Sequence, residues 1–172
     1  MTHLHQAQFL LTSAEAIEPG VLSLSFADGY EGTVDISSSI GRLRALAPLR
    51  AWELFERVAL DECARGVIFG DDDNLHLASD NLRAKSLEQA GHFSHEQIIV
   101  WMARHEMTLD RAAEVLGLSR RMLAYYRSGE KAVPRTVGLA MIGWETIANP
   151  PRRRHPGRPQ DKPIHSQHHG TR

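Results

Sequence analysis

Apolar and polar residues alternate along Val21-Leu22-Ser23-Leu24-Ser25-Phe26, with Leu22, Leu24 and Phe26 on one side. That period of two predicts a half-buried strand. Past Asp28-Gly29 the apolar set resumes at Tyr30, Gly32, Val34 and Ile36. A two-residue Asp-Gly loop would pair Phe26 with Glu31 and put the two apolar sets on opposite faces. A three-residue loop, Ala27-Asp28-Gly29 with Gly29 left-handed, pairs Phe26 with Tyr30 and Leu22 with Val34, and is the expected form. Residues 8–17 ("QFLLTSAEAI") predict a third strand. Pro48 opens a predicted helix, with Leu49, Trp52, Leu54, Phe55 and Val58 at helical spacing. "GVIFGDDDNLHLA" predicts a second hairpin that turns at Asp71-Asp72-Asp73-Asn74.

Beyond residue 90 the period changes from two to that of helices. Ser94 with Gln97 three residues later forms a capping box, followed by Ile98, Trp101 and Met102 on one stripe. "TLDRAAEVLGLSRRMLAYYRSG" fits two short helices. Thr108 caps the first and Asp110 suits its start. Gly117 ends it and Ser119 caps the next. Ala113 is small enough for a close crossing, with Leu116, Leu118, Leu123 and Tyr126 filling the space between. Pro134 opens a further helix with Val137, Ala140, Met141, Trp144 and Ile147 on one face.

Composition adds a division of labour. The 172 residues carry a net charge of −1, with a single cysteine, Cys63. Residues 1–93 hold 7 Lys/Arg against 14 Asp/Glu, residues 94–150 hold 7 against 6, and residues 151–172 hold 6 against 1. An acidic head, a near-neutral middle and a basic end place any polyanion-seeking part in the C-terminal half. One cysteine excludes an intrachain disulfide and a cysteine-based zinc site. No apolar run reaches the length of a membrane helix, and no secretory signal is read at the start, so a cytoplasmic protein is expected. The division is 1–86, a small β-rich α+β domain; 87–150, an all-α domain; and 151–172, a Pro/Arg/His-rich tail expected to be disordered.

Two resemblances sharpen this α+β reading. "LSFADGYEGTVDI", "APLRAWELFERV" and "GVIFGDDDNLHLASDNL" resemble a bacterial family of small α+β domains of unknown function, often encoded beside or fused to helix-turn-helix modules. That resemblance covers about residues 8–83 and implies a fold but no chemistry. Phe69 and Asn74-Leu75 stand where that family has an aromatic and a Gly-x-Asp-Leu stretch. In the second half, Ala113, Gly117, Leu123 and Gly129 resemble the lambda-repressor/Cro-like helix-turn-helix family, implying a five-helix domain over about residues 87–149. Leu109 departs from that family, which often opens the first helix of the motif with a phosphate-gripping Gln.

Steps of about 100° per residue set Arg121, Ala124, Tyr125 and Ser128 opposite the inward Leu123 and Tyr126, with Arg120 on the flank. The resemblance implies base contacts from Arg120, Arg121 and Tyr125. Two cations in a first turn oppose the helix dipole at ~0.3–1 kcal/mol each when exposed, a placement that makes sense if they serve DNA. Arg suits the paired acceptors of guanine. The expected DNA-contacting set is Thr108, Ser119, Arg120, Arg121, Ala124, Tyr125 and Ser128.

Other chemistry reads poorly. Residues 71–76 lack the alternating oxygen ligands and the sixth-position glycine of a calcium loop, and the His92–Glu96 stretch lacks the order of a zinc-binding helix. No paired carboxylates, activated nucleophile or phosphate loop appears, so neither an enzyme nor a cofactor is expected. The reading is a sequence-specific DNA-binding regulator, double-stranded DNA its partner, acting as a homodimer. The alternative is an antitoxin-like protein whose head binds a partner protein while its C-terminal domain binds the promoter.

Overall fold

The computed structural model describes residues 4–70 and 72–148; the basic stretch 151–172 lies outside them. A 3₁₀ turn (Leu4–Phe9) leads into β1 (Leu11–Glu18), β2 (Val21–Phe26) and β3 (Glu31–Asp35), which form one antiparallel sheet in chain order. The chain continues through α1 (Ser37–Arg42), a second 3₁₀ segment (Arg44–Arg50) and the single-turn α2 (Trp52–Phe55). A second antiparallel sheet follows from β4 (Val58–Leu60), β5 (Gly66–Phe69) and β6 (Asp72–Ala78). Five helices complete it: α3 (Ser79–Gln89), α4 (His95–Arg104), α5 (Leu109–Leu116), α6 (Arg120–Arg127) and α7 (Arg135–Ala148). The architecture is α+β.

The first hairpin has the expected register. Leu22 faces Val34, and the Phe26 N–H donates to the Tyr30 carbonyl at 2.9 Å across the three-residue loop. Gly29 takes φ +88°, which only glycine enters freely. Leu22, Leu24 and Phe26 are buried while Val21, Ser23 and Ser25 are half-buried. Asp28 is also an anchor: Arg83 of α3 forks onto its carboxylate at 2.8 and 2.6 Å and lies over the Phe26 and Tyr30 rings.

The expected helix from Pro48 to Val58 is broken into pieces. Pro48 sits inside the 3₁₀ segment, which buries Leu46 and Leu49 at its three-residue repeat. The residue before a proline disfavours the α region, and extended Ala51 (ψ 119°) then resets the chain before the one turn of α2. Val58 belongs to β4 and pairs with Phe69. The second hairpin also turns earlier than Asp71–Asn74. Gly70 takes φ +64°, and Phe69 pairs with Asp72, so β6 begins at Asp72, and its register shifts before His76 pairs with Ile68.

Two buried clusters result. The first joins both sheets with Leu49, Phe55 and Leu82; the second gathers Ile98, Trp101, Ala112, Ala113, Leu123, Val137 and Met141. Between residues 87 and 149, the described residues form four helices and the end of α3, where five were expected. Ala140 and Ile147, expected on the inner face of α7, are exposed. No described helix is long and apolar enough to cross a membrane.

Candidate nucleic-acid interface

Local signals set the α5–α6 pair. Thr108 Oγ1 accepts the Arg111 N–H at 3.2 Å and caps α5. Gly117, at φ +66°, ends α5 with two back-bonds: its N–H donates to the Glu114 carbonyl, and that of Leu118 to the Ala113 carbonyl. These are the paired bonds of a Schellman stop. Ser119 follows at once and caps α6, its Oγ accepting the Met122 N–H at 3.2 Å. The turn between the helices is therefore three residues long. Ala112 and Ala113 are buried where the helices cross, and Leu123 is wholly buried. Leu109, half-buried, packs on this core instead of reaching outward.

The opposite side of α6 carries the predicted residues. Arg120 and Arg121 are exposed, Ala124 and Tyr125 half-buried, and Ser128 exposed. Arg121, Tyr125 and Ser128 are brought together. Arg121 Nε donates to Tyr125 Oη at 2.7 Å, with its guanidinium carbon 5.4 Å from the ring centre. Ser128 Oγ donates to the Tyr125 carbonyl at 3.2 Å. Arg120 turns away and meets Asp110 Oδ1 at 3.0 Å, with both side chains largely exposed. Asp110 thus offsets the dipole at Arg120, and among the described residues the cation of this turn without a carboxylate partner is Arg121. Thr108 and Ser119 spend their hydroxyl acceptors on their own helices.

Sequence reasoning missed Lys131. Gly129, at φ +70°, folds the chain back, so the Lys131 N–H reaches the Tyr125 carbonyl and Nζ lies 5.3 Å from its ring. Two cations thus lie near the Tyr125 ring, each in cation–π range. Behind this turn stands the head domain. A Cβ on Gly129 would lie 2.6 Å from Phe9 Cζ, and the Phe9 ring also packs 5.1 Å from that of His95. His95 is 8% exposed. Burial lowers its pKa, against the opposing pull of Glu96, Asp80 and Glu88.

A cleft of about 800 Å³ separates α3 from α4 and α7, with Phe93, Trp101 and Met141 on its apolar side. Glu145 at its edge accepts from His105, which lowers its pKa together with Arg104.

No protein-family model matches the chain, and no curated protein does. Among solved structures, the crystal structure of "Putative DNA Binding Protein NE0471" from Nitrosomonas europaea ATCC 19718 is 35% identical with a TM-score of 0.71. The match covers 90% of this chain and 96% of that one, too much to be confined to either half. The chain belongs to the family of that Nitrosomonas protein.

Proposed function

We propose that this protein is a sequence-specific DNA-binding regulator of transcription, with α5 and α6 forming a lambda-repressor-like helix-turn-helix. In this reading α6 enters the major groove of double-stranded DNA and two copies read paired half-sites. The observation that carries it is the Arg121–Tyr125–Lys131 cluster on the solvent side of a helix whose inner side is locked by Leu123. Tyr125 engages only the Nε of Arg121, so the two terminal nitrogens keep the fork that matches guanine O6 and N7. Lys131 and the helix-start amides near Thr108 and Ser119 suit phosphates. The name of the Nitrosomonas relative supports the DNA-binding part of this reading.

The test is operator selection from random DNA, followed by Arg121→Ala. The variant is expected to lose ~1–3 kcal/mol on the selected site and to relax preference at one base position. Its thermal stability should stay within about 0.5 kcal/mol of the parent, since the side chain is exposed. Equal binding by parent and variant, or binding lost only with folded structure, overturns the reading.

A second reading, the antitoxin-like one, draws on an apolar groove of about 330 Å³ in the head, lined by Ile36, Leu46, Leu77 and Leu82 beside half-exposed Leu43. It expects a stable complex with the product of an adjacent gene, broken by Leu43→Asp. Retention of the complex by that variant would remove the groove from consideration.

A further inference from the structure

The cleft between α3 and the α4–α7 pair lies where the two halves of the chain meet. Leu82 of α3 belongs to the core of the head, whereas Ile98 of α4 and Val137 of α7 belong to the helical core. Its volume of about 800 Å³ falls within the ~300–1,000 Å³ of small-molecule sites, which favour such junctions.

The two walls differ in chemistry. Phe93, Trp101 and Met141 make one of them apolar. Phe93 is set there by Gly138, where a Cβ would overlap its ring, so the ring lies directly on bare backbone. Trp101 carries a buried Nε1 with no hydrogen-bond partner among the described residues. The α3 wall is polar. Lys85 and Glu88 line it three residues apart, a spacing at which opposite charges can pair on a helix. They do not pair. Lys85 Nζ donates to Ser39 Oγ at 2.7 Å, and Glu88 Oε1 accepts from Ser94 Oγ. Each charge is held by a neutral hydroxyl, and neither forms an ion pair among the described residues. Arg42, one helical turn beyond Ser39, lines the same cleft and is likewise without an ion pair there. Across the cleft, Glu145 is already engaged by Arg104 and His105.

We propose that this cleft binds a free α-amino acid with a large apolar side chain. Its carboxylate meets Lys85 and Arg42, its ammonium meets Glu88, and its side chain lies on Phe93, Trp101 and Met141. An amino acid carries its two charges on one carbon, which matches a cation and an anion one helical turn apart on a single wall. A carboxylate without the ammonium sets like charge against Glu88, and an amine without the carboxylate does so against Lys85. The site rests on the cleft alone. Its effect on DNA binding rests on the regulator reading above: a ligand touching both α3 and α4 fixes the head against the helices that carry α6.

The test is calorimetric titration of the full chain, without DNA, by L-phenylalanine, L-tryptophan, L-leucine and L-methionine. At least one is expected to bind with a dissociation constant of ~10 μM–1 mM, in keeping with its size. Its analogues lacking one charge, 3-phenylpropionate and phenethylamine for phenylalanine, should bind at least about tenfold more weakly. Glu88→Gln keeps the acceptor for Ser94 and removes the charge. It should weaken the amino acid at least about tenfold and tighten the carboxylate analogue, a reversal that a merely structural change would not produce. Lys85→Gln should weaken both, and melting temperatures should match the parent. If a variant fails to fold, the analogue series on the parent decides. No binding by any of the four up to about 10 mM, an analogue that binds as tightly as its amino acid, or a folded Glu88→Gln with unchanged preference overturns the proposal. Affinity for the selected operator should change at least about fivefold at saturating amino acid; no change overturns the coupling. A protein that binds the amino acid and selects no DNA sinks the regulator reading and leaves the site standing. One that selects an operator and binds no amino acid does the reverse.

Discussion

Arg120 and Arg121 are neighbours in one helix turn, yet only Arg121 depends on an aromatic to hold it. Its Nε–Tyr125 Oη bond and the Lys131 contact make Tyr125 a positioning residue for two cations. Tyr125→Phe removes the acceptor and keeps the ring, so binding to the selected DNA should weaken by ~0.5–1.5 kcal/mol while stability is unaffected. A titration that finds parental affinity would deny Tyr125 this role. Gly129→Ala should cost roughly 1–3 kcal/mol, because alanine is strained at φ +70° and its methyl meets Phe9; chemical denaturation measures it. The Arg121–Tyr125 pair could be read beforehand from four-residue spacing on a capped helix. Lys131 could not, because a left-handed glycine returns it across a distance that no helical period describes. The Asp110–Arg120 pair was hidden for a similar reason: it spans the turn between two helices.

Among the elements, those with a local stop or start signal were legible, and those stabilised by distant partners were not. The caps at Thr108, Gly117 and Ser119 and the hairpin at Gly29 act within a few residues, and all form as expected. Helix α3 was missed because two of its buried positions are serines: Ser86 bonds Tyr30 Oη at 2.8 Å, and Ser79 bonds the Phe9 carbonyl. An apolar period cannot reveal a helix face that is buried through hydroxyls. Where the inner face is apolar the consequence is plain. Leu123→Ala should lower stability by ~2–5 kcal/mol through a core cavity, and its loss of DNA binding should track its unfolded fraction. The start of α4 carries a pH dependence. His95 is buried with a lowered pKa, so the unfolded chain binds its proton first as pH falls below about 6.5. Stability from this group is complete above that pH and is lost below it, well before carboxylates such as Asp28 begin to titrate. For Asp28, burial opposes the lowering, and the Arg83 fork and the Tyr30 N–H outweigh it. Melting temperatures between pH 7.5 and about pH 5 should fall, less so for His95→Gln. An equal fall in both would exclude His95 as the source.

Across the molecule, the acidic head and the basic tail bracket the proposed DNA-reading helices. Removing residues 151–172 deletes a net +5 and four histidines. Non-specific DNA affinity should drop and its salt dependence flatten, by about 0.9 in log–log slope for each phosphate that the tail no longer neutralises. An unchanged slope would make the tail a bystander. Nothing in a linear reading exposed the junction at Phe9, since it joins the start of the chain to the end of α6 through shape alone. That junction bears on how such a protein can be cut and rebuilt. The helical half is not a transplantable cassette. Freed of the first ten residues, the Gly129 turn loses its backstop and His95 its cover. Grafted onto another head, α6 would keep its sequence and lose the Phe9 ring that stands against Gly129. If α6 reads DNA as proposed, new specificities are better introduced by changing side chains on α6 than by exchanging halves between relatives.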